Sequence, residues 1–254
     1  TLDETGHSKL FATSIDNGSF DNCTLDYMKV ARMVDHCGLS GTRLGDFVEF
    51  CCEDVLRSPI MVQFRVYDKA GNYNDCMVSV TVQDKIAPEI DCPEDIILNC
   101  GANIFDFNLV GRATATDACD SIRITYVDDT LSARCGELDL IRTWRAQDIG
   151  GRFDICQQRI RIVNRNPFNG DITWPGDRTV NGCTLDEAHP NFAGRPSYNA
   201  GPCDNIVVGY EDEIFPTQGF CYKIIRHWKV LDWCQYEVNN PRSGGIWTSS
   251  QIIL

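Results

Sequence analysis

Four aspartates occupy loop segments of this chain, Asp84, Asp117, Asp120 and Asp148. Carboxylates brought together from separate loops are the ligand set of a hard cation, and calcium in particular takes several oxygen ligands in flexible geometry. A plainer reading stands beside that one, because aspartate is a favoured turn residue whose side chain bonds its own backbone. No D-x-[DN]-x-[DN]-G loop occurs to decide for calcium. Both readings stay open, and no other cofactor is called for. The 14 cysteines form the second chemical set. None are spaced C-x-x-C, and the four histidines, His7, His36, His189 and His227, are far apart, so neither a zinc cluster nor a redox motif is indicated. Disulfides formed in an oxidising, extracellular setting are the expected use.

Catalytic motifs are poorly represented. There is no G-x-S-x-G, no H-E-x-x-H and no glycine-rich phosphate loop. Asp128 and Asp129 recur 84 residues on, within Glu211 to Glu213. Recurrence at one place in two segments favours an architectural loop over the acid and base of a hydrolase. His227 lies beside Trp228 and Asp232 with no nucleophile near it in sequence. The chain reads as a non-enzyme.

Composition narrows the classes. With 43% hydrophobic and 23% charged residues in 254, the chain can bury cores. A net charge of −13 repels phosphate backbones, and the 23 basic residues are scattered, which sets nucleic acid aside. No run of apolar residues is long enough for a membrane span, and the opening "TLDETGHSKL" lacks the features of a signal peptide.

The positioning elements emerge from a repeat. "LIRTWRAQD" at 140–148 returns as "IIRHWKVLD" at 224–232, with Trp144 and Trp228 84 residues apart. "CPEDIILNC" at 92–100 is echoed at 174–183, "GRATATDACD" at 111–120 by "GRPSYNAGPCD" at 194–204, and Cys135 by Cys221. Upstream, "IMVQFRVYDKAGNYNDCMVSVTVQD" at 60–84 matches 140–164, placing Phe64 on Trp144, Asp68 on Asp148 and Cys76 on Cys156. Three tandem repeats follow, 1–85, 86–165 and 166–254, with polar, proline-bearing joints at 83–90 and 164–172.

Inside each repeat the apolar residues alternate: Ile60, Val62, Phe64 and Val66, then Val78, Val80 and Val82. Period two between turn clusters describes strands with one face in a core. The expected fold is all-β, three immunoglobulin-like antiparallel β-sandwiches of about 80 residues, a size near that of the immunoglobulin domain. Phe64, Trp144 and Trp228 should fill the cores. Arg142 and Arg226 take the inward phase beside the tryptophans, so each stem should pack while the guanidinium finds an acid or the rim.

"CPEDIILNC", "ATATDACD", "LIRTWRAQD" and "DWCQYEV" resemble the hyalin-repeat-like, immunoglobulin-type repeats of very long surface proteins of gliding Bacteroidota. "SIDNGSFDNC" and "VYDKAGNYNDCMVSVTVQDKIAP" resemble another variant of the same repeats. The resemblance covers nearly the whole chain. It implies secretion by the type IX route and a role at the cell surface as adhesin, stalk or filament. Cys23 answers to Cys119 at an offset of 96, so the first repeat's opening strand is expected before residue 1.

The family pattern has six cysteines per repeat, and its gaps imply pairings. The first and sixth places are both empty in the third repeat, which joins Cys92 to Cys156 in the second. The pattern then implies Cys100 with Cys135, Cys183 with Cys221 and Cys203 with Cys234, leaving Cys119 without a partner in this chain and Gly150 in the fifth place. The favoured function is a non-catalytic structural or adhesive array, whose partners are neighbouring repeats, other cell surfaces, glycans or its own copies. The alternative is a set of carbohydrate-binding or spacer domains attached to a secreted enzyme, for which Tyr198, Tyr210, Tyr236 and Trp247 are candidate surface aromatics.

Overall fold

The structure, a computed structural model, describes residues 1–254 except Cys23, Asp120, Cys183, Gly219, Phe220, Pro241 and Arg242. The protein is all-β, and its sheets follow the alternation in the sequence. In the first repeat the strands are β1 (His7–Phe11), β2 (Leu25–Arg32), β3 (Phe47–Cys51), β4 (Ile60–Asp68) and β5 (Tyr73–Val80). β1 pairs with β3, while β4 lies between β2 and β5, all antiparallel. Val48 and Phe50 of the first sheet share one buried cluster with Val30, Ile60, Val62 and Phe64 of the second, so the two sheets form a sandwich.

In the second repeat the strands are β6 (Glu89–Asp91), β7 (Ile96–Asn99), β8 (Thr114–Thr116), β9 (Arg123–Arg134), β10 (Glu137–Gln147) and β11 (Phe153–Val163). β6 pairs with β8, and the larger sheet has the order β7-β11-β10-β9. β7 and β11 run parallel, with Ile96 opposite Ile160. The third repeat has β12 (Ile172–Thr173), β13 (Ser197–Tyr198), β14 (Ile206–Pro216), β15 (Tyr222–Asp232) and β16 (Ile246–Ile253). β12 pairs with β13, and β15 is central between β14 and β16. A matching contact recurs in both: Asp95 accepts the Arg159 N–H and Asp177 the Ile252 N–H, each at 2.8 Å.

Strand phase explains what each core contains. Leu140, Arg142, Trp144, Ala146 and Asp148 are all buried, as are Ile224, Arg226, Trp228, Val230 and Asp232. An arginine can take the inward phase because its stem is apolar and its planar head stacks on rings. The Arg226 guanidinium lies 4.4 Å from the Tyr210 ring centroid and makes two bonds of 2.7 Å to Asp212. Arg142 lies at the same 4.4 Å from Tyr126. The first repeat has Val62 at this place and buries a different pair, Arg32 with Asp54, at 2.5 and 2.9 Å.

Disulfides depart from the expected scheme. Cys92 is joined to Cys156, and Cys37 to Cys51, each within one repeat. The other described bridges cross repeat borders: Cys52 to Cys119, Cys100 to Cys203 and Cys135 to Cys234. Cys119 therefore has a partner in this chain, and the pairs Cys100–Cys135 and Cys203–Cys234 do not form. The expected Cys183–Cys221 pair falls on Cys183, outside the described residues. Among the described residues Cys76 is the free cysteine.

The turn between β9 and β10 shows why Cys135 faces the following repeat. Cys135 and Gly136 have φ of +55° and +76°, the type I′ geometry of a two-residue hairpin. A Cβ on Gly136 would lie 2.9 Å from the Cys203 sulfur, so the third repeat comes up against this turn.

The chain divides into two compact units: 1–93 with 112–127 and 142–158, and 94–111 with 128–141 and 159–254. These limits fall inside the second repeat instead of at 85/86 and 165/166. Each crossing disulfide lies inside one unit, Cys52–Cys119 in the first and the other two in the second.

Replacing Asp212 by Asn should leave Arg226, 2% exposed, without its counter-charge. The expected loss is about 2 kcal/mol by urea denaturation, less than the ~3–5 kcal/mol of a fully buried pair, because Asp212 keeps 23% exposure. A change below about 0.5 kcal/mol, the range of neutral surface substitutions, would show that ring stacking alone holds the arginine.

Candidate metal centre at the first joint

Three of the four aspartates singled out in the sequence come together in the first unit. Each ends an inward-facing alternation: Val80, Val82 and then Asp84; Ala113, Ala115 and then Asp117; Trp144, Ala146 and then Asp148. Because side chains on one strand face share a period of two, each strand delivers its carboxylate to the border on its buried side. Asp84 and Asp148 are 6% and 7% exposed, and Asp117 is half-buried. Oxygens of Asp84 and Asp117 approach within 4.8 Å. Asp120 lies outside the described residues.

In all three, one oxygen is used locally. Asp84 Oδ1 accepts the Ile86 N–H at 3.1 Å, Asp117 Oδ1 that of Cys119 at 2.8 Å, and Asp148 Oδ1 that of Arg152 at 2.8 Å. The other oxygen of each, Oδ2, is buried with no hydrogen-bond partner. Burial, then the charges of Asp84 and Asp148, push the Asp117 carboxyl above its ordinary value, against the lowering effect of the Cys119 N–H. Among the described residues no ion pair to Lys, Arg or His reaches any of the three.

Gly150 closes the arrangement. A Cβ there would lie 3.0 Å from the Asp84 carbonyl oxygen and 3.1 Å from its Cβ, so a side chain in this turn would press on Asp84. Cys119 also borders the cluster, yet its sulfur is bonded to Cys52 and offers no thiolate. The available donors are carboxylate oxygens, which suit a hard cation. A second grouping, Cys37, Cys51 and Asp54, is no such site: its sulfurs form a disulfide and Asp54 pairs with Arg32.

Other candidates resolve differently. His227, which sequence left without a nucleophile, lies 3.1 Å from Ser250 Oγ and 3.6 Å from Glu213. Ser250 is directly opposite His227 in the β15–β16 ladder, a cross-strand pairing that linear spacing hides. A serine, histidine and carboxylate in line suggest hydrolysis, but His227 and Glu213 are 46% and 57% exposed. Central β15 is paired on both edges, so its N–H groups serve the ladders instead of an oxyanion. Tyr198 and Trp247 pack on Phe168, Tyr210 on Trp228 and Tyr236 on Trp233. The four aromatics are thus divided among separate packing groups instead of forming one stripe.

No family description matches the chain, and no curated protein does. Among solved structures, the protocadherin GammaB4 extracellular domain is 11% identical with a TM-score of 0.28, over 98% of this chain and 46% of that one. Human CDH23 EC21-23 gives 11% and 0.28 over 91% and 87%, and Drosophila N-cadherin EC1-4 gives 13% and 0.27 over 89% and 66%. This chain thus spans under half of the protocadherin's length. These figures assign it neither a ligand nor an activity.

The pH dependence follows from Asp117. Its folded carboxyl holds a proton more tightly than the unfolded one, whose value is 3.8. Its contribution to stability is therefore fully present below 3.8 and lost as pH rises through the raised folded value. In chelator, the stability difference between wild type and Asp117→Asn should shift in favour of the wild type on acidification through that window. Parallel urea midpoints for the two proteins would refute the shift.

Proposed function

We propose that this chain is a non-catalytic structural and adhesive segment of a long extracellular surface protein, built from hyalin-repeat-like modules and exported by the type IX route. The observation that carries the reading is the set of three disulfides across repeat borders. A bridge inside a repeat stabilises that repeat alone. A bridge between repeats limits their relative motion, which serves a chain that must hold reach or transmit pull. Stacked repeats need only their own cores and nearest neighbours, so length adds little folding difficulty. The acidic surface, with a net charge of −13, also suits a solvated extracellular protein. Its partners in this reading are adjoining repeats and the surfaces, glycans or copies that an adhesin meets.

Electron microscopy of the parent protein from its native secretion tests the assignment. A beaded fibre with repeating domains is expected, and a compact particle with a separate globular body would replace this reading with that of an enzyme accessory. Non-reducing peptide mapping tests the staples themselves. Peptides containing Cys52 and Cys119 should travel together until reduced, and recovery of Cys119 as a free thiol would remove the staple from the first joint.

A further inference from the structure

The turn after the tryptophan strand, or its counterpart in the first repeat, carries an aspartate three times: Asp68, Asp148 and Asp232. Each spends Oδ1 on backbone N–H groups of its own turn or a neighbouring one. The fate of Oδ2 differs. On Asp68 it accepts the Asn72 amide at 2.8 Å. On Asp232 it accepts the Gln235 amide nitrogen at 2.8 Å, and that nitrogen also donates to the Phe168 carbonyl at 2.7 Å. On Asp148 it is buried with no partner.

The surroundings change in step. Where the first joint has Asp84 and Asp117, the corresponding places at the second are Asn164 and Gly201. Asn164 donates its amide to Asp204 at 3.2 Å. The second joint thus has fewer carboxylates and supplies amide N–H donors, while the first has three carboxylates with a vacant acceptor on each. Burying an ionised carboxylate without a partner is costly. Three with their free oxygens hidden from water need relief, either by a proton, which Asp117 holds more tightly than usual, or by a cation that all of them face.

We infer that Asp84 and Asp117, with Asp148 beside them, hold one divalent cation, calcium, in the role that the Gln235 amide plays at the second joint. Calcium fits better than zinc or magnesium on ligand grounds. The donors are oxygen only, they come from three separate turns, and calcium accepts six to eight oxygens without strict geometry, whereas magnesium demands a near-ideal octahedron. Water completes the shell. With the ion bound, the segment that follows β5, the Asp117 turn and the Asp148 turn share one counter-charge across the repeat border. The first joint then responds to dissolved calcium and the second does not.

Calorimetric titration of the EDTA-stripped chain with calcium chloride, then with magnesium chloride, tests this. One calcium per chain is expected, with weaker magnesium binding. Asp84→Asn and Asp117→Asn should each weaken calcium at least about tenfold, the loss caused even by residues that merely support metal ligands. Gln235→Ala should leave it unchanged. Melting temperatures give a second reading that does not depend on heats: in calcium the wild type should melt above Asp117→Asn, and in EDTA the order should reverse. Absence of binding heat together with an unchanged wild-type melting temperature in calcium overturns the proposal. Undiminished calcium affinity in both aspartate variants overturns it as well, by placing the ion elsewhere.

Discussion

The bond between Cys52 and Cys119 is the constraint on which the first joint depends. Closing a loop across a sequence separation of 67 removes conformational entropy from the unfolded chain, equivalent to about 4 kcal/mol in the chain-entropy account. The same bond fixes a position. Cys119 is two residues from Asp117 and donates its N–H to that carboxylate, so the disulfide anchors the turn that brings Asp117 to the border. A Cβ on Gly6 would lie 2.7 Å from the Cys52 sulfur and 3.1 Å from the Ala118 carbonyl. The glycine, with φ of +74°, lets the two repeats come that close. Like charges repel, and a purely noncovalent border would relieve three adjacent carboxylates by opening. The covalent link withholds that escape.

Buried charged and amide side chains inside the sandwiches follow a second rule: they enter with a counterpart for their main contacts. Arg226 has Asp212 and the faces of Tyr210 and Trp228, and Arg32 has Asp54 with the Glu49 carbonyl at 2.7 Å. Gln251 spans the third repeat by accepting from the Trp228 indole at 3.2 Å and donating to the Gly176 and Ala193 carbonyls, both at 2.8 Å. Small sandwiches have little apolar volume, so hydrogen-bonded inserts specify strand register where packing alone would allow slippage. The three unpartnered carboxylate oxygens depart from this rule as a group at the first joint, whereas elsewhere the departures are single atoms such as Arg226 Nη1.

Much of this was legible in the sequence because it depends on local period. Alternation located β4, β10 and β15 and put Phe64, Trp144 and Trp228 in cores, where each is at most 4% exposed. The same phase, extended to the strand ends, carries Asp84, Asp117 and Asp148 inward. The border disulfides were not legible. Matching one repeat to the next treats each as closed on itself, and a cysteine scheme built that way pairs Cys100 with Cys135 when each instead reaches the following repeat. Pairings between distant strands were equally hidden: nothing in linear spacing sets Ser250 beside His227, 23 residues away. The close approach of Asp84 to Gly150, which makes a side chain there crowd the Asp84 backbone, was likewise not legible.

The two joints also differ in how many covalent links they have, and the difference complements the one in charge. The described residues give the border between the second and third repeats two bridges, Cys100–Cys203 and Cys135–Cys234, and the border between the first and second one, Cys52–Cys119. A single bridge restrains distance but leaves rotation about the bond, whereas two bridges at separate points restrain orientation as well. The second joint, which the described bridges hold twice, has its carboxylates Asp204 and Asp232 satisfied by the amides of Asn164 and Gln235. The first joint, held once, has the acidic cluster where a second restraint would act. A charge-based restraint depends on the medium in a way that a disulfide in an oxidising compartment does not. One fold can therefore contain a border of fixed stiffness and a border of adjustable stiffness, set by a few loop residues while the strands that carry them stay the same.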